Sequence, residues 1–154
     1  MRSFLGVLPL WAALAGALVA QTLPAEKVPA KVREAFRARF RDVNKVEWKL
    51  KSDKNYEAEF ELKGAEVTAK FNDSGKWLET ETAFEQSALP KELLAEISNA
   101  YKGYRIIETQ KVERADDKPI LFEVHLENAK EILKVQLEAN GTIASKSTKR
   151  KKGA

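Results

Sequence analysis

The chain has 154 residues, no cysteine and a formal charge of +4. Without cysteine it can form neither disulfides nor a lipoprotein anchor, so the fold must rest on an apolar core of its own. The charge is unevenly placed, because Lys146, Lys149, Arg150, Lys151 and Lys152 all lie in the last nine residues, and the body from Gln21 to Ser145 carries about −2.

Arg2 precedes an uncharged stretch, Ser3 to Ala20, rich in Leu and Ala and short for a membrane span. It fits a secretory signal peptide, residues 1–20, better than an anchor. Both Ala15-Gly16-Ala17 and Ala20 satisfy the small-residue rule for cleavage, so the mature chain is expected to start between Leu18 and Gln21, without a transmembrane segment. Residues 21–27 form a lead-in.

Pro29 suits the first turn of a helix, where a missing N–H costs nothing. Val32, Phe36 and Phe40 then recur every four residues and make one apolar stripe. The period changes to two. Val46, Trp48 and Leu50 alternate with charged residues, as do Tyr56, Ala58, Phe60 and Leu62, and then Val67, Ala69 and Phe71. Such alternation marks antiparallel strands with one face on a core and the other in water. Lys63-Gly64 and Asp73-Ser74-Gly75 mark hairpin turns. A last strand runs from Lys76 to Thr82. Trp77 and Leu78 cannot both point inward in a regular strand, and Trp77 is assigned to the core.

The same plan then repeats. Val28-Pro29 returns as Leu89-Pro90, Tyr56-Glu57-Ala58-Glu59-Phe60 as Phe122-Glu123-Val124-His125-Leu126, and Phe71 to Trp77 as Leu137 to Ile143. The offset is 61 residues in the helical part and 66 after it, so the second copy holds a five-residue insertion. Leu93, Ile97 and Tyr101 form its helical stripe, Leu133, Val135 and Leu137 its core strand, and Asn140-Gly141 its turn. The strand from Arg105 to Glu113 alternates poorly, which predicts a bulge. The expected fold is α+β: two tandem repeats, 28–82 and 89–145, each a helix on a roughly four-stranded antiparallel sheet, with the sheets separate or merged into one curved surface. A linker, 83–88, joins them, and a disordered basic tail, 146–154, follows.

The Pro-led helices, Val46-Glu47-Trp48, Tyr56-Glu57-Ala58-Glu59-Phe60 and Gly75-Lys76-Trp77-Leu78-Glu79-Thr80-Glu81 together resemble the PepSY-like, β-lactamase-inhibitor-like family over about residues 28–145. The resemblance implies a tandem helix-plus-sheet protein, periplasmic or secreted, in a Gram-negative bacterium. In that family's namesakes, β-lactamase inhibitory proteins bind through an open concave sheet, and PepSY modules are associated with restraint of peptidases. Inhibitor sheets are rich in exposed aromatics, whereas the open face here is mostly Lys and Glu, so neither activity transfers residue by residue.

The open face supplies the candidate binding residues: Lys49, Glu57, Glu59, Glu61 and Lys70 in the first copy, and Glu123, His125 and Lys134 in the second. As solvated cross-strand pairs, with Lys45, they would keep a sheet soluble; as a charged docking face they would steer a partner. Glu123, His125 and Glu127 share a face and could approach one cation. The first copy builds the same face with Glu57 and Glu59 and no histidine, so no metal site and no cofactor are expected. Nothing in the alternating runs suggests a buried carboxylate of the kind glycoside hydrolysis needs. There is no Gly-x-Ser-x-Gly motif and no phosphate-cradling glycine loop.

Lys27, Lys31, Arg33, Arg37, Arg39 and Arg41 make the first helix basic. Export and core-type aromatics argue against nucleic acid. The expected function is a non-enzymatic exported module that docks a protein or peptide, such as an envelope peptidase, on the open sheet face. The alternative is a structural or stress-related envelope protein that contacts anionic surfaces through the basic helix and tail.

Overall fold

The computed structural model describes residues 21–153; the expected signal peptide lies outside them. In chain order the elements are β1 (Gln21–Leu23), a 3-10 turn (Ala25–Lys27), α1 (Ala30–Arg39), β2 (Glu47–Leu50), β3 (Tyr56–Leu62), β4 (Ala65–Phe71) and β5 (Trp77–Ala83). A second 3-10 turn (Gln86–Ala88), α2 (Lys91–Ala100), β6 (Arg105–Arg114), β7 (Leu121–Glu127), β8 (Glu131–Leu137) and β9 (Ile143–Arg150) follow. Pro29 and Pro90 occupy the cap position, one residue before each helix, with extended backbone.

All nine strands form one antiparallel sheet in sequence order. Two separate four-stranded sheets are therefore not what the chain builds. The lead-in is not loose chain either, because β1 pairs with β2 at the far edge. Inside the expected linker, β5 runs on to Ala83, and the Phe84 N–H donates to the Thr109 carbonyl.

The five-residue insertion has a structural use. Lys49 pairs with Glu57 and Gln110 pairs with Glu123 in matching places, so the extra residues lengthen the β6–β7 hairpin. That extension carries Val112, Glu113 and Arg114, which pair with Glu81, Thr80 and Glu79 of β5 and join the two halves of the sheet.

Both helices pack on one face. Val32 and Phe36 of α1 sit on Trp48, Ala58, Phe60, Val67, Ala69 and Phe71. Leu93 and Ile97 of α2 sit on Val124, Leu126, Leu133, Val135 and Leu137. Phe40 and Tyr101 close the two stripes from the helix ends. The Lys63-Gly64 turn has positive φ at both residues, the left-handed geometry that matches strand twist in a two-residue hairpin. Gly75 has φ +86°, and a Cβ there would come within 2.7 Å of the Lys31 carbonyl oxygen, so only glycine lets this turn approach α1.

Bulges resolve the irregular stretches. Lys70 pairs with Glu79 and Phe71 with Trp77, which leaves Leu78 as the extra residue and turns Trp77 toward the helix side. Arg39 stacks over the Trp77 ring at 3.5 Å. Ala144 is skipped in the same way between β8 and β9. The bulge expected in β6 falls at Ile107.

The basic tail is corrected most. Residues 143–150 are β9, paired with β8 along its whole length, and Lys151 continues the ladder by donating its N–H to the Lys130 carbonyl. Its alternation is invisible in sequence because both faces are polar at a sheet edge, so backbone pairing, not side-chain burial, holds it. Deleting residues 146–154 should therefore lower the melting temperature by roughly 2–8 °C per kcal/mol of lost ladder. Thermal melting followed by circular dichroism checks this, and a change of under about a degree would mean that β9 adds nothing.

Candidate functional site

The face opposite the helices is formed by the other register set. One row runs Lys49, Glu57, Lys70, Glu79, Arg114, and the next runs Glu59, Thr68, Glu81, Val112, Leu121. A third runs Ala83, Gln110, Glu123, Gln136, Ser145, and a fourth Glu108, His125, Lys134, Ser147. No helix among the described residues packs on this face. Its centre is nevertheless dry, with Val112 and Glu123 at 0% exposure and Leu121 at 1%. Long side chains from adjacent strands, Glu123, Gln136 and Gln110 among them, cover one another there.

The expected site residues fall into two groups. In the first half, Lys49 Nζ donates to Glu59 at 2.6 Å, Lys51 Nζ to Glu57 at 3.1 Å, and Lys70 Nζ to Glu79 at 2.8 Å. Lys70 thus pairs with Glu79 on β5 rather than with Glu57 on β3, the two residues directly opposite it. Glu57 is buried rather than solvated. Glu61 is exposed at the hairpin end and lies directly opposite Glu66, a like-charge pair. Glu66 is raised above its usual range by burial and by Glu108, Glu59 and Glu61.

In the second half the geometry tightens into one cluster. Glu123 Oε1 accepts from His125 Nε2 at 2.8 Å and from Lys134 Nζ at 2.7 Å, while Oε2 accepts from Gln136 Nε2 at 2.7 Å. His125 Nδ1 lies 2.8 Å from Glu108 Oε2, an ion-pair contact off the axis of a good hydrogen bond. Solvated status, expected for Glu123 and His125, is therefore wrong. Long neighbours on the adjacent strands, Glu108, Lys134 and Gln136, which alternation within one strand does not encode, enclose them.

The charges follow from this packing. Burial would favour a neutral ring at His125, but Glu108 and Glu123 outweigh it and push its pKa up to about 9. Burial would likewise raise Glu123, but the hydrogen bonds from His125, Lys134 and Gln136 hold it at about 2. Glu81, opposite apolar Val112, goes the other way: burial first, then Glu123, Glu79 and Glu57, raise it to about 7 against the pull of Lys134. An imidazolium with a carboxylate on each nitrogen has no lone pair for a metal. No group of metal-ligating side chains occurs among the described residues.

A pH profile of stability follows. Raised His125 contributes stability that is whole below about pH 6.5 and lost as pH climbs through about 9, roughly 3 kcal/mol at most. Lowered Glu123 contributes above about pH 4.5 and loses it toward pH 2; this is the same contact seen from its other end, so the two are not summed. Raised Glu81 favours the folded state below about pH 4.5 and ceases to as pH rises through 7. Maximum stability is expected between about pH 4.5 and 6.5. Urea unfolding across a pH series measures it, and Glu81→Gln should flatten the slope between pH 4.5 and 7.

Glu81, Glu108, Gln110 and Gln136 escaped the sequence reading. For Glu81, Glu108 and Gln110 the bulges at Leu78 and Ile107 reset the face of β5 and β6 in mid-strand, whereas Gln136 alternates regularly with Val135 and Leu137 and was legible.

The two helices thus back one face of a nine-stranded antiparallel sheet, and the strands display their other side chains together on the opposite face. The chain belongs to the family described as "Putative beta-lactamase-inhibitor-like, PepSY-like", which it matches over residues 17–68 and 54–144. Among solved structures it is similar to a DUF2874 family protein of Bacteroides uniformis, with TM-score 0.69 and 17% identity over 78% of this chain and 88% of that one. A protein of Bacteroides eggerthii described among "putative periplasmic proteins" matches with TM-score 0.69 and 12% identity over 79% and 88%. A BLIP-like protein of Bacteroides fragilis matches with TM-score 0.65 and 20% identity over 82% and 87%. No curated protein matches the sequence. No helix among the described residues is long and apolar enough to cross a membrane.

Proposed function

We propose that this protein is a non-enzymatic, exported binding module, a tandem of two related halves, that docks a protein or peptide on the open sheet face. The observation that carries the reading is an uncovered face whose side chains are already locked. Lys49, Lys70 and Lys134 are each held by a carboxylate, so little side-chain entropy remains to be lost on binding. The BLIP-like neighbour and the family's description support the same use of the sheet.

Hydrolysis is the less favoured use, although the divergent carboxylates Glu81 and Glu123 are the kind of pair that acid–base chemistry employs. Glu123 is fully enclosed and saturated by three donors. Two surface depressions, of about 460 and 330 Å³, lie at the end of the β6–β7–β8 ladder and beside Phe84. Neither contains Glu81 or Glu123.

The test uses Glu61→Lys combined with Glu66→Lys, two exposed carboxylates whose reversal leaves the buried ladders intact. A partner captured from periplasmic extract by the wild-type protein should associate more slowly with the double variant, with altered salt dependence and an unchanged melting temperature. Identical association kinetics and salt dependence would place the binding surface elsewhere.

A further inference from the structure

The outer edge of β9 is independent of the open face. Among the described residues no strand lies beyond it, and seven of its eight residues are exposed. The direction of its ladder is set by the Lys151 N–H, which donates inward to the Lys130 carbonyl. In an antiparallel pair the inward groups alternate. Lys151, Lys149, Ser147 and Ser145 therefore address β8, and the N–H and C=O groups of Lys146, Thr148 and Arg150 point outward. The register against Val135, Leu133 and Glu131 puts those same three side chains together on the helix side of the sheet. The edge thus presents three outward backbone pairs flanked by two cations four residues apart.

We propose that β9 takes up an extended acidic peptide segment as a tenth, antiparallel strand, with carboxylate side chains at positions i and i+4 opposite Arg150 and Lys146. Main-chain hydrogen bonds to Lys146, Thr148 and Arg150 supply the affinity, and the two cross-strand ion pairs supply the register. A second copy of this chain is the poorer occupant, because pairing two β9 edges would bring Lys146, Lys149 and Arg150 against their own kind. At the opposite edge the described residues of β1, Gln21–Leu23, carry no charged side chain to set such a register.

Thr148→Pro tests the backbone directly. It removes an outward N–H and leaves the inward ladder whole, so proline is tolerated there as on other edge strands. The probe is an acetylated, fluorescent heptapeptide with Glu at its second and sixth positions, Thr at the fourth and Val elsewhere, followed by anisotropy. Wild-type protein should bind it on the order of tenfold more tightly than the Lys-for-Glu peptide, and binding should slow amide exchange at Lys146, Thr148 and Arg150. Thr148→Pro should weaken it on the order of tenfold with the melting temperature unchanged. Lys146→Glu with Arg150→Glu should invert the preference toward the Lys peptide, which decides the matter if the proline variant does not fold. Three results overturn the proposal: no preference for the acidic peptide, equal binding by a folded Thr148→Pro variant, or a wild-type dimer that Thr148→Pro dissociates. Binding to phosphatidylglycerol vesicles undiminished by Thr148→Pro, without peptide binding, also overturns it in favour of an anionic surface.

Discussion

Glu123→Ala should destabilise the protein by about 3–5 kcal/mol, the range for removing one partner from a buried charge cluster. The carboxylate is wholly enclosed and is the common acceptor of His125, Lys134 and Gln136. Without it His125 keeps only Glu108, Lys134 keeps only the influence of Glu81 and Glu108, and a buried imidazolium is left beside a second cation. Glu123→Gln separates charge from volume. It fills the same space and keeps one acceptor oxygen, but its NH2 faces a donor unless the Gln136 amide flips. The loss that remains therefore combines the missing charge with one mispaired hydrogen bond. The His125 pKa, followed by NMR, should fall from about 9 toward its ordinary value in the Gln variant. A stability change under about 1 kcal/mol, with His125 still titrating near 9, would mean that Glu123 is not the anchor of the cluster.

Phe36→Ala should cost about 3–5 kcal/mol, a large part of the stability of a domain this size. Phe36 is the hub of an aromatic group. Its ring lies 5.3 Å from Trp48, 5.2 Å from Phe60, 5.3 Å from Phe40 and 6.4 Å from Phe71, with Trp48, Phe60 and Phe71 meeting it edge to face. Alanine leaves a void that these rigid rings cannot easily close. Ile97→Ala, at the matching place in α2, opens a site among flexible Leu and Val side chains and should cost somewhat less, about 2–4 kcal/mol. The two apolar clusters share no residue, and the β5–β6 ladder links them. Calorimetry should still show one cooperative transition in either variant. Two separated transitions, each moved by one substitution only, would show that the ladder does not couple the halves.

The core was legible because its code is local. Val32, Phe36, Leu93 and Ile97 are spaced at the helical period, and Ala58, Phe60, Val124 and Leu126 alternate at the strand period. The weak alternation of Arg105 to Glu113 even marked the β6 bulge. The candidate site was legible only as a face. Glu57, Glu59, Lys49, Lys70, Glu123, His125 and Lys134 do project together, yet their burial and partners were misjudged. Lys70 selects Glu79 on β5 rather than Glu57 on β3, and Glu123 is enclosed by side chains of β7 and β8, choices made between strands rather than along one.

The sequence by itself determined the α+β alternation of helix and strands, the side of each regular strand that meets the helices, the turns at Lys63-Gly64 and Asn140-Gly141, and the five-residue insertion. These depend on periodicity and on single-residue backbone preferences, which act over a few neighbours. Only the tertiary structure decided that the halves share one nine-stranded sheet, that the insertion supplies the joining ladder, and that the basic terminus becomes β9. It also decided the ionisation of Glu81, Glu123 and His125. Those outcomes depend on strand pairing between distant segments, which brings charges from β5, β6, β7 and β8 onto one face that no local pattern describes.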